Sequence, residues 1–368
     1  MEVGFRGFWD STRSEAFTGA RFLAPLAFGE GYIVGAPVSG SLVQFAHSAD
    51  AEMQVESVLE MGDSAPLMDA AAVFGGSDLW VWDSLQGRVA SISGGVPEAV
   101  RLSTGVPLTI ADLADFGSTA VVADWSDDSL TLLAQSGEAR VQVLDQVADS
   151  AKTTAADISD LLAITVGVRS YLVSASHHEN GISVYEHTGA HLIAVDHIGA
   201  KDGLWVDGIQ KLATCEVGGE SFVLAASAQA GVIACLRLND QGVFFIADIL
   251  ADTRNTRFDG VVDMSMIEWN GRDFLLAGGQ DAGLSVIEIL PGGTLLHHIS
   301  IAQTTDWDIG AITQIEAQVI GTTARIYLTG SGAPGVAELA IELSSLGARQ
   351  TGAAGNDTLR GDGRDDIL

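Results

Sequence analysis

Long apolar runs are missing. No uninterrupted stretch reaches the ~20 residues that a membrane-spanning helix needs, so the chain reads without membrane insertion. Basic residues are scarce. Only 18 Lys and Arg stand against 48 Asp and Glu, and the formal charge of −30 is spread along the chain; such a field repels nucleic acid and anionic lipid. The opening MEVGFRGFWDSTRSEAF lacks the apolar core of a secretory signal, which leaves a cytoplasmic protein or one exported by a C-terminal signal. There are two cysteines. Cys215 and Cys235 fall on the first and third strands of one repeat, about 9.5 Å apart at a strand spacing of ~4.8 Å, too far for a disulfide. Also absent are G-x-S-x-G, H-E-x-x-H, a phosphate-cradling loop and paired zinc cysteines.

What is present is a repeat. Short β-branched and aromatic runs recur: YIVGA around Ile33, LWVWDS around Trp80, AVVADW around Val121, YLVSAS around Leu172, FVLAAS around Val223, FLLAGG around Leu275 and IYLTGS around Tyr327. From Val121 the intervals are 51, 51, 52 and 52 residues. Each unit adds an apolar strand before the anchor, an alternating strand after it (Gly181–Tyr185, Gly231–Cys235, Gly283–Ile287) and a weaker fourth. Four antiparallel strands per unit predict an all-β fold, a seven-bladed β-propeller. The last unit supplies only three strands. Residues 3–9 are read as its missing outer strand, closing the ring and removing an open edge. The propeller is assigned to residues 1–345.

In such a fold, the loops between second and third strands and the links between blades open onto one face. An aromatic, an aspartate and a glycine recur in those links: Trp205-Val206-Asp207-Gly208, Arg257-Phe258-Asp259-Gly260 and Asp306-Trp307-Asp308-Ile309-Gly310. Repetition favours architecture, the aspartate bonding local amides and the aromatic packing between blades. Departures from the repeat point to ligands. Trp125, Trp205, Arg257 and Trp307 are the candidate ligand-binding residues. Arginine forks suit carboxylates, and Arg254 joins Arg257 on the same link. His177 and His178 stand in one loop, where histidine can act as a base near neutral pH. Asp112, Asp160 and Asp263 recur near the innermost strands, a place from which they could line the channel.

The chain ends in GAAGNDTLRGDGRDDIL. Gly352, Gly355, Asp357 and Leu359, then Gly361, Gly363, Asp366 and Leu368, follow the glycine-rich nonapeptide G-G-x-G-x-D-x-U-x, with Ala353 and Arg364 departing from it. The tail, residues 346–368, resembles the repeats-in-toxin family of secreted calcium-binding proteins. That resemblance implies calcium as cofactor, held by Gly352, Gly355, Asp357, Gly361, Gly363 and Asp366 at the start of a β-roll that is cut short. It also implies export without an N-terminal signal. The expected function is a secreted binding or adhesion module whose mouth takes a glycan or an extracellular protein. The alternative is an enzyme, a lyase, hydrolase or lactonase-like hydrolase on an acidic saccharide, using His177, His178, Arg254 and Arg257.

Overall fold

The computed structural model describes residues 1–20, 22–25, 32–36, 40–46, 53–60, 70–74, 78–83, 87–93, 96–124, 128–137, 139–150, 153, 155–349 and 365–367. The first strand, β1 (Glu2–Trp9), is followed by a blade of β2 (Phe22–Pro25), β3 (Tyr32–Ala36), β4 (Ser41–Ala46) and β5 (Gln54–Glu60). A second contains β6 (Ala70–Phe74), β7 (Asp78–Trp82), β8 (Val89–Ser93) and β9 (Val96–Ala99). The next sheet joins β10 (Arg101–Leu102) to β11 (Asp112–Asp115), β12 (Thr119–Ala123), β13 (Ser129–Gly137) and β14 (Arg140–Ala148). Then come β15 (Ile158–Val166), β16 (Arg169–Ser176), β17 (Gly181–His187) and β18 (Leu192–Gly199), followed by β19 (Ile209–Val217), β20 (Glu220–Ser227), β21 (Val232–Leu238) and β22 (Phe244–Ala251). Another blade holds β23 (Asp263–Trp269), β24 (Arg272–Gly278), β25 (Gly283–Ile289) and β26 (Leu295–Ala302). The last is β27 (Ile312–Ile320), β28 (Thr323–Gly330) and β29 (Val336–Glu342), with β1 outermost.

The recurring anchor runs are the second strands of these sheets. In β12 all five residues are buried, and in β16 and β20 the last six are. Faces covered on both sides leave no polar face to alternate with, hence the continuous apolar runs. Strands β2, β6, β11, β15, β19, β23 and β27 neighbour one another around a central channel, and β27 returns to β2. The ring closes through β1, which runs antiparallel to β29 from Glu2 opposite Glu342 to Trp9 opposite Val336.

Two expectations need correction. Among the described residues, four-stranded antiparallel blades number six, not seven; a further sheet has five strands. Arg101 and Leu102 pair in parallel with Arg140 and Val141, because a tight turn bonding Leu102 N–H to the Val106 carbonyl at 2.8 Å folds the chain back along the outer edge. No β-roll forms among the described residues. Past β29, β30 (Leu346–Arg349) and β31 (Asp365–Ile367) make a two-stranded parallel pair.

Blades are joined twice. At the channel, Asp112 accepts the Leu161 N–H at 2.6 Å, Asp160 that of Leu212 at 2.6 Å, Asp263 that of Ile315 at 2.6 Å, and Gln314 that of Leu23 at 2.6 Å. At the rim, Asp145, Asp196 and Asp248 accept the N–H groups of Leu192, Phe244 and Leu295 at 3.0, 2.8 and 2.9 Å. Each acceptor sits on one blade and its donor on the next. These six aspartates are therefore structural, since a hydrogen bond to a charged acceptor contributes about 1.5–3 kcal/mol.

Candidate functional site

Inner strands enter the channel through a shared irregularity. The register slips between Ile158 and Asp160, Ile209 and Lys211, and Ile312 and Gln314. The bulge lets the residue before the ring position, Gln210 in β19, turn away from its own ladder. Below it the channel widens into a cavity of about 300 Å³ lined by Asp112, Asp160, Lys211, Asp263 and Glu316, with Trp82 and Leu23 among the apolar walls.

Lys211 is the cation of this cavity. Its Nζ lies 2.9 Å from Asp160 Oδ1. Burial alone would lower its pKa, but Asp160, Asp263 and Asp112 outweigh burial and raise it, so the ammonium stays charged. The carboxyls move the other way. Burial, then repulsion from Asp160, pushes Asp112 up to about 7 despite Lys211. Burial pushes Asp263 up to about 6. Burial, then Asp263, pushes Glu316 up to about 8. Groups that exchange protons near neutrality, gathered in one cavity, mark a candidate site for acid–base chemistry.

At the mouth stands His177, in the loop between β16 and β17. Its Nδ1 is 2.6 Å from Gln210 Nε2, and its Nε2 is 3.4 Å from Gln229 Nε2. Both neighbours are amide NH₂ groups, so the neutral ring accepts at one nitrogen and carries its proton on the other. Gln210 directly precedes Lys211, so one backbone step joins the residue bonded to His177 to the cavity wall. His178 packs edge-on to His177, with centroids 4.9 Å apart, and its Nδ1 is 3.6 Å from Asp157. In the same loop, partial burial and then Asp149, Asp157 and Asp128 push Glu179 up to about 7.

The other candidates scatter. Trp205 is 75% exposed, whereas Trp307 is 3% exposed and Phe258 fully buried between blades. Arg257 reaches Asp281, with Nη1 3.5 Å from Oδ1, and Arg254 is exposed. Trp125 lies outside the described residues. The link aspartates behave as architecture: the N–H groups of Gln229 and Gln280 bond the carbonyls of Asp207 and Asp259 at 3.0 and 2.9 Å. Asn180 clamps the Asp207-Gly208 turn from both sides, donating to Asp207 Oδ1 and accepting the Gly208 N–H, each at 2.9 Å. Of the expected calcium ligands, Gly352, Gly355, Asp357, Gly361 and Gly363 lie outside the described residues, and Asp366 falls in β31. Among the described residues no group of three or more His, Cys, Asp or Glu is arranged to hold a metal. Neither cysteine is in a disulfide; they lie on β19 and β21 with β20 between them.

His298, on an outer strand, is turned inward. It occupies the bulge of β26 and bonds Glu288 at 2.7 Å. Sequence reading missed Lys211, Gln210 and Glu316. The signal was available: Asp112, Asp160, Lys211, Asp263 and Gln314 recur at 48, 51, 52 and 51 residues, one position of one repeat.

No protein-family model matches the sequence, and no curated protein matches it. Solved structures do match in fold. Virginiamycin B lyase from Staphylococcus aureus superposes with a TM-score of 0.61 at 9% identity, covering 92% of this chain and all of that one. A 6-phosphogluconolactonase-like protein from Bacteroides uniformis gives 0.55 at 15% identity, over 76% and 84% of the two chains. U3-55K gives 0.60 at 9% identity, over 88% and 96%. At these identities the likeness establishes the β-propeller and nothing finer. The resemblance to the repeats-in-toxin family is overturned: the structural relatives are propellers of lyase and lactonase type, and no calcium-repeat family model matches the tail.

Proposed function

We propose that the protein is a lyase or hydrolase working by proton transfer at the channel mouth, on a neutral or cationic ester, with His177 as the proton-transferring group. The position of His177 carries this reading: its ring stands between two glutamine amides, and Gln210, 2.6 Å from its Nδ1, adjoins Lys211 of a cavity whose carboxyls exchange protons near pH 7. Glu179, two residues on, holds its proton into the neutral range and serves as the complementary acid. Asp128, Asp149, Asp157 and Glu179 surround this part of the mouth. They disfavour the acidic saccharide expected from the arginines, so the substrate is written as neutral or cationic.

The likeness to two kinds of propeller supports the reading. One virginiamycin B lyase was solved with quinupristin as a catalytically inactive histidine-to-alanine variant, so a histidine is required for activity in that protein.

The test is turnover of γ- and δ-lactones and of cyclic depsipeptides, followed by pH-stat for hydrolysis and by ultraviolet absorbance for a new double bond. His177→Ala should lower kcat/KM by about 100-fold or more. Full activity in that variant overturns the assignment.

A binding module is the second reading, favoured by Trp205, a large aromatic 75% exposed on the mouth one blade before the half-buried Arg257. Under it, acidic polysaccharide co-sediments without turnover, and Arg257→Ala abolishes the association.

A further inference from the structure

A cavity that the mouth does not use lies at the other end of the strands. The mouth is built from turns between second and third strands. The hairpins β15–β16, β19–β20 and β21–β22 turn on the opposite face, and between them opens a cavity of about 700 Å³. This is the range of small-ligand sites.

Its wall combines three kinds of group. Phe245 presents an aromatic surface that is 45% exposed, steadied on one side by the Arg237 guanidinium, 5.0 Å from the ring centroid. Arg237 is itself oriented by Glu220, with Nη1 2.6 Å from Oε1, and lines the cavity. Glu216 supplies an acceptor, Ser221 a hydroxyl, and Asn239 an amide whose oxygen is held by the Gln241 and Val243 N–H groups at 3.0 and 2.9 Å. That fixed oxygen leaves the Asn239 NH₂ as a donor of known direction.

Two simpler ligand classes meet an obstacle here. Phosphate or a polyanion is repelled by Glu216, Glu220 and Asp240. A wholly apolar molecule would leave the Arg237, Asn239 and Ser221 groups unpaired, at about 1–3 kcal/mol for each buried one. A ligand dense in hydroxyls, with an apolar face to lay on a ring, answers both sets of groups. We propose that this cavity is a binding site for a neutral saccharide of two or three units, its C–H face on Phe245 and its hydroxyls on Arg237, Glu216 and Asn239. The site lies on the face away from His177 and is independent of the reaction assigned to the mouth.

Calorimetric titration of the full chain with maltotriose, cellotriose, lactose and chitobiose tests it, with spermidine as a cationic probe. At least one saccharide should bind saturably. Phe245→Ala and Arg237→Met should each weaken that binding by tenfold or more with the melting transition retained, while His177→Ala leaves it unchanged. No saturable binding of any saccharide overturns the proposal. So does binding that survives both cavity variants, or that is lost in His177→Ala, or a response to spermidine alone.

Discussion

Arg272 is 1% exposed and lies on β24 with its guanidinium forked onto Glu288, Nε to Oε1 at 2.9 Å and Nη2 to Oε2 at 2.8 Å. Its Nη1 donates to the Gly347 carbonyl at 3.2 Å, pinning the segment that follows the propeller. Removing one member of such a pair strands the other charge. Arg272→Met should cost about 3–5 kcal/mol in urea denaturation, and adding Glu288→Leu should return most of it; a single-variant cost below about 1 kcal/mol would contradict the reading. Backbone constraints give a second case. Gly260 has a φ of +56°, and a Cβ there would meet the Gln280 side chain at 2.9 Å. Gly260→Ala should cost about 1–3 kcal/mol, more than the same change at Gly167, whose φ is +63° with nothing within 4 Å. These link glycines were readable because turn chemistry is local. Lys211 was not, for its meaning depends on carboxyls 51 and 52 residues away at Asp160 and Asp263.

At the scale of the element, legibility follows burial. The second strands declared themselves through uninterrupted apolar runs, and β1 through its alternation next to a unit one strand short. The two-residue β10 had no such signal: its pairing comes from a turn and an available edge, not from its own composition. The tail shows the converse, since seventeen glycine- and aspartate-rich residues can match a nonapeptide by composition alone. For β1 the expected outcome is definite. Deleting residues 1–9 exposes the edge of β29, whose Ala337, Leu339 and Ile341 are buried, and the ring loses its seam. The truncated protein should show a lower, broader thermal transition and concentration-dependent association in size-exclusion chromatography. A transition as sharp as that of the full chain would mean the ring holds without its seam.

Over the whole molecule, two groups of carboxyls set opposite limits on stability. The pKa values of Asp112, Asp263 and Glu316 are raised to about 7, 6 and 8, so their contribution is full below the unfolded-state values and is lost as pH rises through those numbers. Asp145 and Glu288 are lowered: burial would raise both, but the Leu192 and Gln146 N–H groups with His191 together outweigh it at Asp145, and His298 with Arg272 outweighs it at Glu288. Their contribution is present above the unfolded values and is lost as pH falls through the folded ones. Thermal stability should therefore peak at roughly pH 5, decline through pH 6–8 and fall again in stronger acid. Glu316→Gln should flatten the upper limb without moving the lower one. A melting temperature that rises steadily from pH 5 to 8 would show that the channel carboxyls do not control it.

The seam between β1 and β29 also orders events in time. Residues 2–9 are synthesised before all the other strands of the ring, and their partners, residues 336–342, after them. While the strands between are made, β1 has no place to pair, and the blades behind it can form in succession from local hairpins. Completion of the ring is thus a single event that waits for its last blade, and a nascent chain halted before that blade carries β1 unmated.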